Sequence, residues 1–104
     1  MERLLFTFRL APGTEAEYER AHAEIWPELV ADLRAAGWSN YTLFRRGLQV
    51  FAYAECEPTA AEAIARIEAS EVNARWSAMI RALMTECVDA DGRLLTADEL
   101  WHLA

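Results

Sequence analysis

An α+β fold is what this sequence predicts, and three observations carry that reading. Apolar residues recur with a period of two at the start of the chain and again across Trp38–Cys56, as they do in strands that bury one face. Around those stretches apolar residues recur at helical spacing, twice behind a Thr-x-x-Glu start signal. The resulting order, βαββαβ with the second helical region split in two, is that of a ferredoxin-like sandwich. At 104 residues the chain has room for one domain and one core, spanning residues 1–104.

The elements follow in order. Leu4, Phe6, Phe8 and Leu10 alternate with Arg3, Leu5, Thr7 and Arg9, which is a strand. The same segment, MERLLFTFRLAPG, is read as strand and not as a secretory leader, because Thr7 and Arg9 interrupt it and no small-residue cleavage site follows. APGT turns the chain, and Thr14 with Glu17 matches a capping box that opens a helix. That helix is predicted to reach Ala36 and stop at Gly37, a residue that tolerates the positive φ of a helix C′ position. Pro27 falls inside it. Proline lacks the N–H, and its ring presses on the carbonyl of Ala23. The helix should therefore kink or restart near Glu24–Trp26, freeing carbonyls at the level of His22.

WSNYTLFRRGLQVFAYAEC reads as two strands turning at Arg45-Arg46-Gly47. Thr59 and Glu62 form a second capping-box match, ahead of a short helix with Ile64 and Ile67 inward. Ser70 can cap a further helix whose stripe is Val72, Trp76, Met79, Ile80 and Leu83. DADGR is a loop, and the tail DELWHLA is expected to supply the last strand. Both faces of the strands are partly apolar: Phe6 and Phe8 oppose Leu5, and Val50, Ala52 and Ala54 oppose Phe51 and Tyr53. A sheet with helices on one face should leave its other face polar. A partner subunit is the simplest cover, so a homodimer is expected.

Composition removes several classes of function. A net charge of −7 offers no basic stripe for nucleic acid. No run of about 18 apolar residues exists, so no transmembrane helix is expected. Cys56 and Cys87 lack CxxC spacing and read as a reduced pair in a cytoplasmic protein. Two histidines and no clustered ligand spacing make a metal site unexpected, and the four glycines form no phosphate loop.

The stretch YERAHAEIWPEL concentrates the chemistry. At about 100° per residue, Tyr18, His22, Ile25, Leu29 and Leu33 fall in one narrow arc. Tyr18 and His22 thus stand one turn apart on the core-facing stripe, close enough to act on one ligand. Each has a plain alternative. His22 can be a core histidine with a hydrogen-bond partner, Tyr18 a core-edge residue and Trp76 simple core, while His102 reads as surface or interface.

Tyr18-x-x-x-His22-x-x-Ile25-Trp26-Pro27-Glu28-Leu29 resembles the signature of the L-rhamnose mutarotases. Weaker matches at Asn40–Phe44 (NYTLF) and Ala74–Met84 (ARWSAMIRALM) follow in the right order, so the resemblance spans nearly the whole chain. It implies a dimeric ferredoxin-like α+β barrel that interconverts the α and β anomers of L-rhamnose without a cofactor. It implies His22 as proton donor, with Tyr18, Tyr41 and Trp76 holding the sugar. The family commonly follows that tryptophan with a second one, and here the position is Ser77. The change removes an apolar wall unless Trp38 or Trp101 reaches in, and it leaves the preferred sugar open.

Mutarotation suits the composition. It needs a proton placed on the ring oxygen and another taken from the anomeric hydroxyl, and an imidazole can do either near neutral pH. Tryptophan and tyrosine suit the C–H face and hydroxyls of a sugar, and Asn40 is a further candidate for holding a hydroxyl. Two other readings remain at this point: a barrel of the same fold acting as an oxygenase or cyclase on an aromatic substrate, or a non-catalytic ligand-binding module.

Overall fold

The first strand is the centre of the structure because it can be paired along both edges. In a computed structural model describing residues 1–104, the elements are β1 (Glu2–Leu10), α1 (Glu15–Ala23), α2 (Pro27–Ala35), β2 (Trp38–Arg46), β3 (Gln49–Cys56), α3 (Ala60–Glu68), α4 (Glu71–Arg81), β4 (Met84–Glu86) and β5 (Leu95–Ala97). The sheet is antiparallel in the order β2-β3-β1-β4, with β5 also on β1. This is the expected ferredoxin-like arrangement. Leu4, Phe6, Phe8 and Leu10 of β1 and Val50, Ala52, Ala54 and Cys56 of β3 are all buried, and they meet Tyr18, Leu29, Ala63, Ile67, Trp76 and Ile80 from the helices. The period-two pattern is thus the cause of a one-sided core.

The opposite face is apolar and bare. Phe44, Phe51, Thr7 and Leu95 form one cross-strand row, and Thr42, Tyr53, Leu5 and Ala97 form the next. Phe44 is 59% exposed.

The last strand differs from expectation. Asp98–Ala104 forms no strand, and Leu100, Trp101 and Leu103 are exposed. The free edge of β1 is already occupied: β4 pairs at Arg9 and Leu10, and β5 at Leu5–Thr7. Both run antiparallel to β1, so together they are one strand interrupted by residues 87–94. A Val88–Leu94 bridge closes the excursion at its base. Inside it, the Asp89 carboxylate accepts from the amides of Asp91 and Arg93. The tail keeps one anchor, an ion pair between Arg3 and Glu99.

Helix starts divide by backbone geometry. Thr59 and Ser70 are extended, and each hydroxyl accepts from the amide three residues on, at 3.2 and 3.0 Å. Thr14 is not extended (φ −101°, ψ 1°) and caps nothing, contrary to its capping-box spacing. Its hydroxyl instead donates to the carbonyls of Ala11 and Leu83, tying the start of α1 to the turn between α4 and β4. Met79, expected on the α4 stripe, sits at its margin and is 42% exposed.

Pro27 resolves as a restart. It is the first residue of α2, where the missing N–H costs nothing, and Trp26 before it is extended. The His22 carbonyl is not freed, since it accepts from Ile25 N at 3.3 Å. Gly37 has φ +96° and ends α2 as expected. Its carbonyl accepts from Glu57 N at 2.9 Å, and a Cβ there would lie 2.0 Å from the Glu57 carbonyl oxygen.

Candidate active site

The arc predicted on the first helical region survives the break at Pro27. Tyr18, His22, Ile25, Leu29 and Leu33 all line one cavity of about 210 Å3 between the helices and the sheet. Trp76 and Ser77 enter from α4, Trp38 and Tyr41 from β2, and Phe6 and Phe8 from β1. The structure therefore gathers all five residues singled out in the sequence: Tyr18, His22, Tyr41, Trp76 and Ser77.

Aromatic contacts fix the geometry. The rings of Tyr18 and His22 are 4.4 Å apart, and His22 meets Trp76 edge-on at 5.3 Å. Trp26 braces the far side of Trp76 edge-on at 5.2 Å without lining the cavity. On the sheet side Tyr41 packs on Trp38 at 5.0 Å and Phe8 on Tyr18 at 5.8 Å. Trp38 is buried and donates its indole N–H to the Ala63 carbonyl at 2.9 Å, so it is the second tryptophan that reaches the site. Trp101, on the exposed tail, does not, and neither does His102.

His22 Nδ1 lies 3.0 Å from the backbone carbonyl of Tyr18. A carbonyl only accepts, so Nδ1 carries the proton and Nε2 bears the lone pair in the neutral ring. Nε2 has no hydrogen bond within the protein. Burial lowers the His22 pKa, and the bond to the Tyr18 carbonyl works in the opposite direction without reversing it. The ring is therefore a neutral base at pH 7. Burial raises the phenols of Tyr18 and Tyr41, so both remain donors. No buried side-chain N or O lacks a partner, so the unbonded Tyr18 hydroxyl and Trp76 Nε1 are not sealed in the core. An apolar, aromatic-walled cavity with a few unspent polar groups is built to hold a small polar molecule.

Sequence reasoning missed Asn73, Glu68 and Arg81, which also line the cavity. Asn73 was findable, standing three residues before Trp76 and four before Ser77 on the same face of α4. Cys87 and Leu94 line it from the ends of the 87–94 excursion, which nothing in the local pattern announces. Asn40 does not line it; its amide bonds to Glu55 at 2.8 Å.

Fold and cavity together define a small α+β domain whose aromatic-walled cavity presents one imidazole and two phenols. Comparison with known proteins narrows the class. The L-rhamnose mutarotase family matches over residues 3–103. An L-rhamnose mutarotase of Burkholderia orbicola is 36% identical over 103 residues, covering 99% of each chain. The crystal structure of an L-rhamnose mutarotase from Formosa agariphila superposes with a TM-score of 0.78 at 24% identity, covering 100% of both chains. Tetracenomycin F2 cyclase from Streptomyces glaucescens shares the fold, with a TM-score of 0.73 at 15% identity over 100% of this chain and 98% of that one. The chain belongs to the L-rhamnose mutarotase family, isomerases that interconvert sugar anomers. The oxygenase or cyclase alternative is thereby not favoured, its support being the fold alone.

Proposed function

We propose that the sugar is L-rhamnose or a related deoxyhexose and that His22 is its acid–base catalyst. The observation that carries this reading is the hydrogen bond from Nδ1 to the Tyr18 carbonyl, which leaves Nε2 as the one basic nitrogen of the cavity. The anomeric oxygen and the ring oxygen are bonded to the same carbon, so a single nitrogen can serve both. Nε2 takes the proton of the anomeric hydroxyl as C1=O forms and C1–O(ring) breaks. It then donates that proton to the ring oxygen, which makes His22 the proton donor. The aldehyde turns about C1–C2, and the steps reverse on its other face. Acid–base assistance of this kind is worth about 10²–10⁴-fold in rate.

The remaining assignments follow from chemistry. The phenols of Tyr18 and Tyr41 hold hydroxyls, and the indole of Trp76 carries the C–H face of the ring. Ser77 lines the same cavity, and Trp38 supplies an aromatic wall from the sheet. We assign the loss of the second tryptophan a relaxed sugar preference. Saturation-transfer NMR on L-rhamnose tests the activity: accelerated exchange between anomers supports it, and exchange at the uncatalysed rate overturns it.

The same proposal includes a homodimer packed outer sheet on outer sheet, supported by the bare rows around Phe44 and Phe51. Sedimentation should give a dimer at micromolar protein and a monomer for Phe51→Glu. A concentration-independent monomer in the parent chain contradicts it. Free Cys56 and Cys87 agree with a cytoplasmic setting, and no helix is long and apolar enough to cross a membrane.

A further inference from the structure

β2 does not keep its alternation. Ser39 pairs with Glu55 and Thr42 with Tyr53, so Asn40 and Tyr41 together face the single residue Ala54. This is a β-bulge, which bends a strand and re-aims a side chain. Trp38, Tyr41 and Leu43 all line the cavity, although strict alternation would send Trp38 and Tyr41 to opposite faces. The bulge is built on Asn40, the sole non-glycine residue with positive φ, at +47°. Asparagine tolerates this conformation when its side chain finds a local partner. Here the partner is Glu55: Asn40 Nδ2 donates to Oε1 at 2.8 Å, while the Tyr53 hydroxyl donates to Oε2 at 2.9 Å. Thr42 Oγ1 donates to the Asn40 carbonyl at 3.2 Å and closes the far side.

We propose that Asn40 is a positioning residue. Clamped by Glu55 and Tyr53, it holds the bulge that aims Tyr41 into the sugar cavity. Asn40 touches no part of the cavity itself, so its effect must pass through Tyr41. The proposal rests on the reading of Tyr41 as a sugar-binding residue, and it predicts an effect on binding and not on proton transfer.

The test is a mutant cycle read as KM and kcat for anomer exchange. Asn40→Ala keeps a Cβ at the left-handed position and removes the side-chain bond that compensates it, a penalty equivalent to about 5- to 30-fold. KM should rise within that range while kcat changes less than about threefold. Asn40→Gly tolerates the same backbone and should stay within about threefold of the parent. In a Tyr41→Leu background, Asn40→Ala should add nothing. If Tyr41→Leu alone leaves KM unchanged, the sugar-binding role of Tyr41 fails first. If Tyr41→Leu raises KM but Asn40→Ala does not, or if Asn40→Ala has its full effect in both backgrounds, the positioning role is overturned. Should Asn40→Ala fail to fold, Glu55→Ala alone removes the clamp and leaves Asn40 at its left-handed φ without the side-chain partner. The same KM rise is then expected there, and its absence overturns the proposal.

Discussion

Replacing His22 by asparagine separates chemistry from folding, because the two effects have different sizes. His22 makes one hydrogen bond, from Nδ1 to the Tyr18 carbonyl, and is half-buried. An asparagine amide can approach the same carbonyl, and losing the bond outright would cost about 1 kcal/mol. The edge-on contact with Trp76 adds at most about 0.5–1.5 kcal/mol. Nε2 has no substitute: no second imidazole lines the cavity, and both phenols there are pushed up and hold their protons. Losing acid–base assistance removes about 10²–10⁴-fold, equivalent to about 2.7–5.4 kcal/mol of barrier. His22→Asn should therefore fold with nearly parental stability and lose at least about 99% of its exchange rate. The assay is saturation transfer between the two anomeric protons, run beside a denaturant melt of the same sample. A folded His22→Asn protein that exchanges anomers within about threefold of the parent would refute the assignment of Nε2.

Four further outcomes are expected. Because burial lowers the His22 pKa, kcat/KM should fall on the acid side through an apparent pKa below the ordinary value of about 6.5; a limb at or above 7 contradicts a neutral, desolvated base. The sign carries to stability: the unfolded histidine binds its proton at higher pH, so stability drops as pH falls through that window, and His22→Asn should lose that part of the slope. Ser77→Trp should sharpen discrimination among L-rhamnose, L-mannose, L-lyxose and L-fucose by about 10- to 200-fold, the worth of one apolar group in a pocket. No change in the ranking means that Ser77 does not meet the sugar. Gly37→Ala combines a positive φ with a Cβ 2.0 Å from the Glu57 carbonyl oxygen and should destabilise the fold by about 2–5 kcal/mol in urea; a loss under about 1 kcal/mol contradicts the contact.

The parts legible in the sequence are those that short-range periodicity governs. The alternation in β1 and β3 gave the buried face correctly, and the arc from Tyr18 to Leu33 marked one wall of the cavity despite the helix break. Thr59 and Ser70 cap as their spacing implies, whereas Thr14 does not, because its backbone is not extended. Spacing records which groups are present, and φ and ψ decide whether they meet. β4 and β5 have three residues each, too few to display a period, so the more apolar tail claimed the strand. Asn40 was invisible as a bulge for a related reason. An inserted residue shifts the parity of everything after it, and only the pairing with β3 reveals which residue is extra.

The interrupted strand at the edge of β1 separates two things that a small domain usually cannot separate. β4 and β5 are held by their own pairings, so residues 87–94 can change in length without altering the register of either. Lengthening such a segment is cheap, about 0.6 kcal/mol for each doubling. Yet its first and last residues, Cys87 and Leu94, are part of the cavity wall. Exchanging the segment between relatives thus reshapes the chamber that His22 also lines, while disturbing the core only where Cys87 and Leu94 rest against it. The shape of the chamber is in this sense modular, and it can drift or be engineered faster than the scaffold that holds it.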